Sequence, residues 1–139
     1  MRCNGFLMQA LAGAACLMVA AALAQPQADL GQREFSAKCA VCHGADGKGG
    51  GPYAEQLKKP PPDLTTLARR HGGTFPDQQI HAAIEGAGKG HGTRDMPVWG
   101  LDYTVQATEV FPEQPYNQAL YVRKRIKALL EHLRSLQVK

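Results

Sequence analysis

The run Cys39-Ala40-Val41-Cys42-His43 constrains this chain more than any other stretch: two thiols three positions apart, with an imidazole directly after the second. Thiols at this spacing can close a disulfide, form a thioredoxin-like redox pair, make half of a zinc site, or attach a haem when a histidine follows. Zinc needs two further ligands at suitable spacing, and the only other cysteines, Cys3 and Cys16, lie in a segment of different character. A disulfide makes no use of His43. Haem attachment uses all three residues. Each thiol adds to one vinyl group of the porphyrin, and a three-residue separation on a helical turn points both sulfurs to one side. His43 then sits beneath the iron as an imidazole ligand.

The first segment reads as a secretory leader. Arg2 gives a short positive start, and Phe6 to Ala24 carry no charge, with Gln9 alone interrupting apolar and small residues. The run ends in Ala22-Leu23-Ala24 before Gln25, a small-x-small cleavage signal. Residues 1–24 are therefore expected to be removed on export, taking Cys3 and Cys16 with them, and residues 25–139 to form one domain in the periplasm. The alternative is a retained anchor, since the run is barely long enough for a hydrocarbon core about 30 Å thick. The formal charge of +4 includes Arg2. So mild a charge, with 6% aromatic residues, lacks the basic stripe that nucleic-acid binding requires.

Helical periods dominate the remainder, and no convincing strand or repeat occurs. Leu30, Phe35, Cys39 and Cys42 share one face of a helix over 29–42, which should end at the glycines from Gly44 to Gly51. Asp63 is a candidate N-cap for a short helix over Leu64–Arg70, stopped by Gly72-Gly73. Another helix is expected from Pro76 to Glu85, with Gly86 at its exit. A glycine-rich loop follows to Gly100. Residues 101–115 show no clear period, hold two prolines and read as a surface excursion. Val122, Ile126, Leu129, Leu133 and Leu136 then form a continuous apolar stripe on a helix over Tyr116–Leu136. These helices are few and the loops between them long, with too few apolar residues for an ordinary core. A large flat apolar cofactor supplies the missing core, which predicts an all-α fold wrapped around one covalent haem.

With this motif and helix order, the stretch from Asp29 to Gln137 resembles the class I monohaem c-type cytochromes. The resemblance implies that a methionine in a downstream loop is the second iron ligand. Met96, in Asp95-Met96-Pro97-Val98-Trp99-Gly100, is the sole methionine outside the leader and precedes the C-terminal helix. A histidine is the rival ligand, with His91 nearest and His71, His81 and His132 further away. The resemblance also implies that Gly31 and Phe35 meet the C-terminal helix, where His132 replaces a common aromatic and Tyr121 is a candidate to compensate. It further implies that a proline carbonyl accepts the His43 Nδ1 proton, with Pro52 the first choice and Pro60 to Pro62 competing. Trp99 is expected beside the haem or bonded to a propionate.

The cofactors implied are one haem c and its iron, held by Cys39, Cys42, His43 and Met96. With both axial positions filled, the resemblance implies a periplasmic single-electron carrier rather than an enzyme, whose partners are donor dehydrogenases and acceptor oxidases or reductases. The alternatives are a haem subunit of a larger periplasmic dehydrogenase or oxidase complex, and a haem sensor or small haem enzyme. The basic groups Lys58-Lys59, Arg69-Arg70 and Arg123 to Lys127 are read as solvated surface or as a face that steers an acidic partner.

Overall fold

A computed structural model of the chain describes residues 29–87 and 96–138. The expected leader, its cleavage point and His91 lie outside the described residues. Those residues form helices and loops with no strand among them.

The first helix, α1, runs over residues 29–43, but not uniformly as an α-helix. Phe35–Cys39 is a π-helical turn, closed by the Ala40 N–H on the Phe35 carbonyl, and Ala40–His43 returns to the α form. Such π turns inside α-helices often occur at functional sites, and this one ends on Cys39. The helix stops at Gly44, and the chain then folds back beneath it. Gly51 N–H donates to the Cys42 carbonyl and Tyr53 N–H to that of Val41, while Leu64 N–H closes the loop on Gly47.

Helix α2 is a 3-10 turn, Leu64–Thr66, leading into Leu67–Arg70. The Asp63 carboxylate caps it, accepting the Thr65 amide at 2.7 Å and its hydroxyl at 2.6 Å. These two bonds hold the Asp63 carboxyl below its ordinary value. Helix α3 spans Asp77–Glu85 and exits through Gly86 in the left-handed conformation. The C-terminal helix, here α5, spans Pro115–Ser135 with proline in its first turn.

Residues 101–115 correct the expectation of a surface excursion. Trp99–Val110 is a twelve-residue helix, α4, whose buried residues are Tyr103 and Ala107, one turn apart. Leu101, Val105 and Val110 are exposed, so its apolar residues are spread around the helix instead of forming a stripe. Helix α4 lies along α5, and α3 packs against both.

The core is centred on α5. Ile126, Leu129 and Leu133 pack with Phe35 of α1, Ile84 of α3 and Tyr103 of α4. Phe35, Ile126 and Leu129 are each about 1% exposed, and burying such a side chain contributes about 1.5–3 kcal/mol. The crossing of α1 and α5 depends on Gly31, where a Cβ would collide with the Ala128 carbonyl. At that crossing the Phe35 and His132 rings pack tilted, 5.1 Å between centroids. His132 thus fills the aromatic position itself, and Tyr121 does not compensate. Tyr121 packs instead against Phe111 and beneath the Arg125 guanidinium.

Candidate functional site

The fold encloses a cavity of about 310 Å³ between α1, α3 and the start of α4. Its wall is chiefly apolar. Phe35, Leu57, Leu64, Leu67, Ile80, Ala83, Ile84, Leu129 and Leu133 contribute to it, together with the proline run Pro60 to Pro62. The size and lining suit a bound organic group. Cys39, Cys42, His43 and Met96 all line this one cavity, with Pro97 and Trp99 beside Met96.

The cysteine side is built from backbone upward. Cys39 ends the π turn, Cys42 follows within the α turn, and His43 is the last helical residue. Gly51 must be glycine for this arrangement, because a Cβ there would lie 2.5 Å from the carbonyl oxygens of both Ala40 and Val41. Cys39 and Cys42 are free thiols. Burial, helped by the Glu34 carboxylate and opposed by Lys38, pushes the Cys39 thiol up to about 12. The thiol is therefore neutral and compatible with an apolar wall.

His43 is 8% exposed. Its Nδ1 lies 3.4 Å from the Pro62 carbonyl, an orienting contact of the kind that metal-bound histidines commonly make. This settles the choice of proline in favour of the 60–62 run and corrects Pro52, which is exposed. The loop closure at Leu64 and Gly47 brings Pro62 back to the helix end.

Of the rival histidines, the three among the described residues, His71, His81 and His132, do not line the cavity. His71 bonds the Leu67 carbonyl and Gln79, His81 pairs with Glu85, and His132 packs on Phe35. Among the described residues, no three His, Cys, Asp or Glu side chains converge as a zinc site would require, so the zinc reading gains no support.

Other residues at the site escaped the sequence reading. Lys38 lines the cavity and pairs with Asp102 of α4 at 2.6 Å. Glu34, one turn before Lys38, is buried and accepts the Tyr103 hydroxyl at 2.9 Å and the Arg125 guanidinium. Burial and the bond to Glu34 push the Tyr103 phenol well above its ordinary value. Arg125 therefore leaves the basic surface run to which its neighbours Arg123 and Lys124 belong. The only sequence signal for Lys38 and Glu34 was their place on the motif's own helix.

The donor set fits a covalent haem: two thiols at attachment spacing, an oriented imidazole and a thioether, all on one apolar cavity. A search of curated proteins and one of solved structures return no significant match. The family model described as Cytochrome c, a family of electron-transfer proteins that carry covalent haem c, matches residues 28–137. The helical fold, the attachment motif and this match agree, and the chain belongs to the cytochrome c family.

Proposed function

We propose that the chain is an exported, diffusible single-electron carrier of the periplasm, in which Cys39 and Cys42 hold the haem through thioethers and His43 and Met96 ligate its iron. One observation carries this reading: Met96, far along the chain from the motif, lines the same apolar cavity as Cys39, Cys42 and His43. Bound haem supplies a one-electron couple between ferric and ferrous iron, and imidazole with thioether ligation favours a comparatively high potential.

The chain's own residues hold and shield that group. Donation of the His43 Nδ1 proton to the Pro62 carbonyl leaves Nε2 as the metal-binding atom and fixes the ring's orientation. Leu67, Ile84, Leu129 and Leu133 exclude water from the cavity. With His43 and Met96 both committed as ligands, no position remains for a substrate, so the chain transfers electrons without further chemistry. Redox proteins are its partners, and no helix among the described residues is long and apolar enough to cross a membrane.

Potentiometric titration of the purified protein tests this reading. A single one-electron transition, and a reduced form that does not take up carbon monoxide, are expected. Ready carbon monoxide binding would point instead to the sensor or enzyme. Leader removal is tested separately by the mass of the protein in the periplasmic fraction, which should match a chain beginning at Gln25; a chain still carrying residues 1–24 contradicts it and the diffusible carrier.

A second reading, a haem subunit of a larger periplasmic dehydrogenase or oxidase, draws on the outer face of α4. Leu101 and Val105, one turn apart, are 64% and 52% exposed, the kind of patch a partner protein covers. Gel filtration of the native periplasmic fraction separates the two: elution as a monomer supports the free carrier.

A further inference from the structure

Helix α4 is tied to the motif-bearing helix by contacts that electron transfer itself does not call for. Lys38, the residue before Cys39, reaches Asp102 with its ammonium. That ammonium also lies 5.0 Å from the centroid of the Trp99 ring and 5.3 Å from that of Tyr103. One turn earlier on α1, the Glu34 carboxylate takes the hydroxyl of Tyr103, which is fully buried. Two residues one turn apart on α1 thus grip two consecutive residues of α4. Asp102 is itself steadied by the Gln106 side-chain amide at 2.7 Å.

Helix α4 begins three residues after Met96, so its first turn fixes where Met96 can lie. The same turn is seated against the end of α3 as well. Val98 presses on Gly86, where a Cβ would lie 2.5 Å from its Cγ1, and Gly100 rests against the backbone of Glu85. Close packing on the end of α3 and the polar grip of α1 therefore both hold this turn. The body of α4 has a separate attachment, its long contact with α5.

We propose that Lys38 and Asp102, with the Glu34–Tyr103 pair, are positioning residues that brace the first turn of α4 against α1 and thereby keep Met96 from being displaced by an external ligand. This rests on the reading of Met96 as an iron ligand. Charge-assisted hydrogen bonds are about twice as strong as neutral ones, and the ammonium gains further from the two aromatic faces. Removing one partner leaves the other charge poorly compensated at a partly buried seam.

The test is displacement of Met96 by imidazole in the ferric holoprotein at fixed neutral pH, followed through loss of the near-infrared sulfur-to-iron band. Asp102→Ala and Lys38→Met should each speed displacement about tenfold, the scale of one charge-assisted bond. The double variant should be no faster than either single one. Tyr103→Phe should act in the same direction and more weakly; it removes one hydroxyl and gives the answer even if Asp102→Ala does not fold. Arg134→Ala breaks the ion pair with Asp77 that joins α5 to α3, and should lower thermal stability without changing the displacement rate. Rates within about twofold of wild type in Asp102→Ala and Tyr103→Phe, with the wild-type band present, overturn the brace alone. An equal acceleration in Arg134→Ala also overturns it, because general stability then explains the effect. A wild-type protein without the band overturns the Met96 assignment and the brace together.

Discussion

On one side of the cavity Cys39, Cys42 and His43 sit on a single helix whose course is fixed by backbone contacts: Gly31 against the Ala128 carbonyl, and Gly51 beneath Ala40 and Val41. On the other side Met96 stands alone, ahead of a helix held to α1 by side-chain contacts from Lys38 and Glu34. Two proposed thioether bonds would anchor the first side, whereas the second would depend on one ligand bond and the polar grip behind it. The first wall is thus specified by close packing that tolerates almost no change, and the second by charged groups whose loss loosens it. An electron carrier would benefit from both, since a fixed attachment limits reorganisation while the proposed ligand, Met96, would tune the potential.

The sharpest way to break this contrast is to remove the thiols. In Cys39→Ala/Cys42→Ala, acid–acetone should extract all the haem, whereas the wild-type protein should retain it completely; retention in the variant would mean that attachment lies elsewhere. Next in size is the backbone clamp. Gly31→Val should cost about 3 kcal/mol, as overpacking at a tight crossing does, read as a lowered denaturant midpoint. An unchanged midpoint would show that α1 and α5 can separate freely.

On the methionine side the effects should be smaller. Glu34→Gln keeps the shape but leaves the Arg125 guanidinium, whose Nε is already buried without a partner, short of its counter-charge. A loss of about 2 kcal/mol is expected, measured by chemical denaturation. The smallest effect belongs to pH. Burial holds His132 below its ordinary imidazole value, so the unfolded chain takes up this proton first as pH falls. The stability due to neutral His132 is complete above about pH 6.5. It is lost as pH falls from there through the depressed folded value, by no more than about 1.4 kcal/mol per pH unit. His132→Phe should flatten that part of the stability profile, and an unaltered profile would mean the ring is solvated.

The same division governs what could be read from sequence. The cysteine wall, α2, α3 and α5 were legible because their signals are local: the attachment spacing, Asp63 as a cap, Gly86 as an exit, and the stripe from Val122 to Leu136. Helix α4 was not, because it buries only Tyr103 and Ala107 and leaves Leu101, Val105 and Val110 exposed. Its place is set by partners 64 and 69 residues away, Lys38 and Glu34, which no local period reveals. Arg125 was hidden for a related reason, sitting inside a basic run while pairing with Glu34. The choice between Pro52 and Pro62 needed the loop closure between Gly47 and Leu64, a feature of the folded chain.

Near-infrared absorption of the ferric holoprotein, wild type beside Met96→Ala, tests the central claim most directly. The two-walled site predicts a sulfur-to-iron band in the wild type, absent in Met96→Ala, together with a reduction potential lowered by at least about 59 mV, a tenfold change in the one-electron equilibrium. A wild-type spectrum without the band, or one that Met96→Ala leaves unchanged, would contradict it.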